Sequence, residues 1–372
     1  VRASIFHNGR FTVGDFPLPE LGAWQIRVRP IANGICGGDL SAWAHTDEFL
    51  ASNAEAKQDT FLFDKDRPLV FGHEFTAEVT ELGPDVTDYA VGQKLFVLPW
   101  VADAAGAVRC LGYANEYPGG MSTETIAGAG MHVPLDEDVD PVLAATLEPI
   151  ATGTNGARQT GIGAGEGALV TGAGPIGLGA VVELVARGAD PIVVSDPSAI
   201  RREIALAYGA TVAVDPRETD PVAVWRDLAG GKRLHVVEAS GARLLSDLIA
   251  SVPPHTVISV VGANAEPEAI RTMTAVVNNI TLKFVCGPVY GETRYEGVWR
   301  AYEHLRAGRY DPALMVTAYT GLAGARAAFE ALRPRNGATE QVKILILPEL
   351  DTDELLTPQQ AGFASALHAA SS

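Results

Sequence analysis

Gly172-Ala173-Gly174-Pro175-Ile176-Gly177 is the segment that most narrows what this chain can become. It follows a short apolar run, Gly167–Thr171. It opens Pro175–Arg187, which starts with proline at a glycine turn and reads as a helix. Asp196 then closes the next apolar run, Ile192–Ser195. In a chain with 39 glycines a GxGxxG pattern alone says little. A strand before it, a helix after it and an acid ending the following strand make it specific. Gly172 allows the tight turn, Gly174 lets the backbone approach a diphosphate, and Gly177 lets helix and strand pack closely. The helix start presents unpaired N–H groups to an anion. Asp196 can accept from both hydroxyls of a ribose and repels a 2′-phosphate, so the expected cofactor is NAD rather than NADP. Arg201, five residues on, either flanks the adenosine or stands in solvent on its helix.

Beyond this loop the alternation continues. Helix Ser198–Tyr208, strand Thr211–Val214, helix Pro221–Leu228, strand His235–Glu238, helix Ala242–Ser251 and strand Thr256–Val261 follow in order. Such alternation predicts an α/β, doubly wound parallel sheet covered on both faces. The first 150 residues read differently. Arg2–His7 and Phe11–Phe16 flank Asn8-Gly9, a hairpin signal. Gln25–Ile31, Glu74–Glu81 and Lys94–Trp100 read as further short strands, a β-rich, barrel-like unit. After about residue 291 the character is mixed, and Asp351–Ser372 reads as a mobile tail. A length of 372 residues suits two domains.

Acids outnumber bases 45 to 28, a balance that disfavours nucleic acid as a partner. No apolar run is long enough for a membrane span. Val1–Arg10 holds no secretory apolar run. Cys36, Cys110 and Cys286 are too scattered for a disulfide framework, so a cytoplasmic setting is expected.

Three short motifs carry metal-ligand chemistry: Cys36, Gly72-His73-Glu74 and Glu148-Pro149. Thiolate, imidazole and carboxylate suit a tetrahedral zinc with a fourth position open. One thiolate and one carboxylate neutralise Zn²⁺, and a second carboxylate makes the site negative, so Glu74 and Glu148 are not both expected to bind at once. Taken singly, a buried cysteine is usually core and a glutamate usually surface.

The order Cys36, Gly72-His73-Glu74, Glu148-Pro149, GxGxxG, Asp196 resembles the zinc-dependent medium-chain dehydrogenase/reductase family, whose members include alcohol, polyol and sugar dehydrogenases. The resemblance covers nearly the whole chain. It implies a GroES-like catalytic domain over residues 1–150, completed by 292–372, and a Rossmann NAD-binding domain over 151–291. It implies a hydride passing between NAD(H) and a small alcohol or carbonyl substrate, and a homodimer or homotetramer. Carried over by position, Cys36 and His73 are metal ligands, Glu148 is the ligand preceding the nucleotide domain, and Glu74 is the carboxylate of the Gly-His-Glu motif. Asp39 matches the residue that supports the histidine ligand, and Thr152 a threonine near the nicotinamide.

Three departures from the family pattern stand out. Val101–Pro118, where many relatives hold a second zinc with four cysteines, has only Cys110, so one catalytic zinc and no structural zinc are expected. Gly38 occupies a position where relatives carry a serine or threonine that passes the substrate proton outward; Ser41, one turn on, either substitutes or is a solvated helix residue. Cys36 and His73 lie 37 residues apart, and the extra chain around Thr46–Asp66 reads either as a lid or as a surface or subunit-contact insertion. Trp43 and Trp100 read either as substrate-facing residues or as core. Two competing readings are a zinc-independent quinone or enoyl reductase of the same superfamily and a catalytically inactive nucleotide-binding protein. Between the carboxylates, Glu148 is the expected resting ligand: Glu74 directly follows His73, and strand neighbours point to opposite faces.

Overall fold

The computed structural model describes residues 1–103, 105–262, 266–286, 292–333 and 339–363. The chain forms two compact units. One comprises Val1–Thr146, Pro312–Pro334 and Lys343–Ser372; the other comprises Leu147–Asp311 and Arg335–Val342.

The first unit is β-rich. Arg2–His7 pairs with Arg10–Asp15 in a hairpin, and Asn8 and Gly9 both adopt positive φ, as a two-residue turn matching strand twist requires. A seven-stranded sheet runs in the order Val316–Thr320, Lys343–Ile346, Gln25–Gly34, Glu74–Leu82, Lys94–Val97, Val133–Pro134, with Thr125–Gly128 also pairing with Gln25–Gly34. Its inward residues, among them Ile26, Val28, Phe75, Val79, Leu95 and Ile126, are fully buried. Register matters most at one end of this sheet. Gly34 lies opposite Glu74 on one side and Leu345 on the other. That pairing puts Cys36 just beyond one strand, His73 just before its neighbour, and Lys343 on the third.

The second unit is a six-stranded, all-parallel sheet. Its order is Val212–Val214, Ile192–Ser195, Gly167–Thr171, Leu234–Glu238, Val257–Val260, Thr281–Phe284, the doubly wound order 3-2-1-4-5-6. The expected strands and helices of this half all form, with ends shifted by at most three residues. Thr281–Phe284 was outside the sequence reading. It is an edge strand with mostly exposed side chains, so it lacks the apolar run that marks its neighbours. Glu292–Arg306 belongs to this unit, where His304 and Arg300 both bond Glu183 of the Pro175–Ala186 helix. The chain therefore returns to the first unit at Pro312.

Of the expected tail, Phe363 stacks on Tyr319 with ring centroids 4.3 Å apart, so residues 351–363 dock onto the first unit. Residues 364–372 lie outside the described residues. No helix among the described residues is long and apolar enough to cross a membrane.

Candidate metal centre and nucleotide loop

Cys36 caps the helix Gly37–Ala44. Its Sγ accepts the Gly38 N–H at 3.4 Å, and Asp39 Oδ2 reaches back to accept the Cys36 N–H at 3.1 Å. This is a capping box with sulfur in place of the usual hydroxyl. The positive end of the helix faces the sulfur, which suits a thiolate ligand. The other Asp39 oxygen, Oδ1, lies 3.1 Å from His73 Nδ1. An N–H on Nδ1 leaves the Nε2 lone pair for a metal, and a carboxylate behind a ligating histidine is the usual support. Burial alone would lower the basicity of His73, but Asp39, and then Cys36, hold it well above the ordinary imidazole range.

One donor atom each from Cys36, His73 and Glu74 lie within 4.8 Å of one another. Glu74 thus joins its neighbour His73, which strand neighbours can do only where the backbone is irregular. The reason is local. The strand begins only at Glu74, and Gly72 before it has φ +113°, so the two-residue period does not yet apply at His73. The Glu74 carboxylate also has a partner that no sequence motif announced. Lys343 Nζ pairs with Oε2 and donates to the Ile35 carbonyl at 2.9 Å, with both charged side chains buried. Gly34 lies between them. A Cβ there would stand 2.6 Å from Lys343 Cε and 2.7 Å from Glu74 Oε2, so only glycine lets the pair meet across the strand. Glu148 belongs to the other unit, in the first turn of the buried helix Leu147–Gln159, where Thr152 Oγ1 donates to its Oε1 at 3.2 Å.

Ser41 is exposed on its helix. The hydroxyl that reaches residue 38 comes from Tyr113, which the sequence reading did not single out. A Cβ on Gly38 would sit 3.1 Å from the Tyr113 hydroxyl and 3.8 Å from Cys36 Sγ. That hydroxyl donates to Asp39 Oδ1 at 2.8 Å. Burial, then the charge on Asp39, pushes the phenol well above its ordinary range, so it remains a donor. Phe49, Phe61 and Phe63 from the 46–66 segment pack on Tyr113. Trp100 meets Phe61 edge-on, whereas Trp43 packs against Phe329 and under Arg333.

In the second unit, Gly172 has φ +86°, and a Cβ on Gly177 would land on the Gly172 carbonyl oxygen. Gly174 caps the helix without a side-chain hydrogen bond to its N–H groups, and Pro175 and Ile176 form its first turn. Asp196 Oδ2 accepts the Ala173 N–H at 2.8 Å and Oδ1 the Ser198 N–H at 2.7 Å. The buried carboxylate thus braces the loop while keeping further lone pairs. Arg201 Nη1 stands 3.8 Å from Asp196 Oδ2 and 3.8 Å from a Cβ built on Gly174. Its buried Nε has no hydrogen-bond partner among the described residues.

Comparison with known proteins finds relatives for both halves of the chain. The family model described as alcohol dehydrogenase GroES-like domain matches residues 22–137, and that of zinc-binding dehydrogenase matches 175–303. L-threonine 3-dehydrogenase of Streptomyces coelicolor is 30% identical over 82% of this chain and 87% of its own length. Sorbitol dehydrogenase of Bacillus subtilis is 25% identical over 94% of this chain and 97% of its own. The crystal structure of 2R,3R-butanediol dehydrogenase from Bacillus subtilis superposes with a TM-score of 0.76 at 26% identity, covering 94% of this chain and 99% of that one.

Proposed function

Since the chain belongs to the zinc-dependent medium-chain dehydrogenase family, we propose that it is an NAD-dependent alcohol or polyol dehydrogenase with one zinc per chain. The observation that carries this reading is the meeting of Cys36, His73 and Glu74 donor atoms with Asp39 behind the histidine. Thiolate, imidazole and carboxylate fit zinc in type. Cys36 and His73 would hold it, with Glu148 as the resting third ligand, because the Glu74 carboxylate is already matched by Lys343. Bound there, zinc supplies Lewis-acid polarisation of an alcohol or carbonyl oxygen. The nicotinamide supplies the hydride chemistry.

The residues of the chain do the rest. Asp39 sets the tautomer and aim of His73. The Gly172–Gly177 loop and the first N–H groups of its helix receive the diphosphate. Asp196 receives the ribose hydroxyls, which favours NAD, and Arg201 flanks the same end of the cofactor. Thr152 is assigned to the nicotinamide side. The substrate is a small alcohol, polyol or sugar; the relatives named for sorbitol, butanediol and threonine, each a small hydroxyl-bearing molecule, support this class. Val101–Pro118, with one cysteine, supports the absence of a structural zinc. Exposed Met273, Val276, Val277 and Phe284 along the edge of the parallel sheet support a homodimer or homotetramer. The cytoplasm remains the proposed setting.

The clustered donors weigh against a metal-free quinone or enoyl reductase. Elemental analysis together with NAD-coupled screening of alcohols, polyols and sugars tests the reading. One zinc per chain and turnover with NAD are expected. A protein that takes up no zinc, or that prefers NADP, overturns the corresponding part.

A further inference from the structure

We infer that Tyr113 is a positioning residue of the metal centre, its hydroxyl standing beside Gly38 and fixing Asp39, and through Asp39 the His73 ring. The inference rests on the reading of Cys36 and His73 as metal ligands.

Asp39 is the node. It is fully buried, and its Oδ2 is committed to the Cys36 N–H. Its Oδ1 serves two partners at once, the Tyr113 hydroxyl at 2.8 Å and His73 Nδ1 at 3.1 Å. A carboxylate pinned by donors on both oxygens has one orientation, and the imidazole bonded to it inherits that orientation. The Tyr113 ring also lies against the imidazole, with centroids 5.3 Å apart. One side chain therefore holds the histidine both by packing and through the carboxylate.

Three sequence departures converge on this side chain. Gly38 leaves room for the phenol, since a Cβ there would come within 3.1 Å of its oxygen. Tyr113 itself comes from the cysteine-poor 101–118 stretch. The 46–66 segment supplies its clamp: Phe49 stacks on the ring at 5.4 Å and Phe61 meets it edge-on at 5.3 Å. Held this way, the phenol has little room to give, and yielding a few tenths of an ångström to a side chain at residue 38 strains its 2.8 Å bond to Asp39. Gly38, Tyr113 and the 46–66 segment thus form one interdependent set.

The test is zinc affinity by chelator competition, with visible spectra of the cobalt-substituted protein, for wild type, Tyr113→Phe, Gly38→Ser and the double variant. Tyr113→Phe should weaken zinc binding about 10-fold, the lower end of what outer hydrogen-bond partners of a ligand contribute, and shift the cobalt bands. Gly38→Ser should weaken binding because its Cβ crowds the phenol and strains the bond to Asp39. Adding Tyr113→Phe to Gly38→Ser should then cost less than it does in wild type. If Tyr113→Phe fails to fold, the Gly38→Ser protein carries the test alone, since it disturbs the hydroxyl without removing it. Unchanged affinity and an unchanged cobalt spectrum in Tyr113→Phe, or in Gly38→Ser where it stands alone, overturn the inference while leaving the metal reading intact. A wild type that binds no zinc overturns both.

Discussion

Lys343 and Glu74 are a buried pair of charges, and what each loses without the other separates two roles for the glutamate. Lys343→Met leaves a carboxylate buried without its cation, at a cost of about 3–5 kcal/mol. Urea denaturation should show that loss, and Glu74→Gln combined with Lys343→Met should recover part of it. Glu74→Ala should likewise cost stability, because Lys343 is then the unmatched charge. Glu148→Ala should instead cost zinc affinity, and more of it than Glu74→Ala does. Chelator competition on the two alanine variants decides: greater zinc loss from Glu74→Ala reverses the assignment of the resting ligand. Asp196 gives a parallel test in the other unit. Asp196→Ala should narrow the preference for NAD over NADP measured as kcat/KM, and should also lower stability, since two backbone N–H groups lose their acceptor.

His132 offers a pH signature independent of the metal centre. It is buried, its Nδ1 accepts the Leu98 N–H, and burial lowers its pKa from 6.5 to about 4. The unfolded chain therefore binds a proton between these values that the folded chain refuses. Stability on this account is full above pH 6.5 and falls as pH drops towards 4. The difference between wild type and His132→Gln should change by up to about 3 kcal/mol across that window. Denaturant midpoints of both proteins at pH 7 and pH 4.5 check it; parallel losses would sink the assignment.

At the scale of elements, the sequence was legible where a local period repeats. The strand–helix alternation from Gly167 to Val260 was readable because each buried parallel strand is a short apolar run between helices. The edge strand Thr281–Phe284 was not, because exposure erases that run. His73 and Glu74 meet only because the backbone is irregular at Gly72, just before the strand begins, a departure that strand alternation requires for the two to share a site but that no local pattern announces. Cys36, His73 and Asp39 sit in short motifs and were found. Tyr113 is 74 residues from Asp39, and Lys343 is 269 from Glu74; neither has a motif around it, and only strand register and chain return bring them in. The 46–66 segment showed its phenylalanines in sequence, but not that they close over a tyrosine.

At the scale of the whole molecule, one surface asks for a partner. Met273, Val276 and Val277 on the helix Thr272–Val277, and Phe284 on the edge strand that follows it, are each about seven-tenths exposed. Exposed apolar side chains of this kind are what the proposed homodimer or homotetramer would cover. Val276→Lys combined with Phe284→Lys should shift the mass measured by light scattering towards the monomer. A monomeric wild type, or an oligomer that both substitutions leave unchanged, overturns this assignment.

The interleaved path of the chain has a consequence for biosynthesis. The strand Lys343–Ile346 inserts beside Gln25–Gly34, which the ribosome delivers more than three hundred residues earlier. Until it arrives, the nascent β-rich unit carries an open edge at Asn33-Gly34, the end of the strand that Thr125–Gly128 leaves unpaired, and an unneutralised Glu74 in what will become its interior. The parallel-sheet unit has most of its residues in hand by Asp311 and can consolidate first. Chains stalled before residue 343 are thus expected to combine an ordered nucleotide unit with an aggregation-prone, metal-weak partner, which makes the last strand the checkpoint of co-translational assembly.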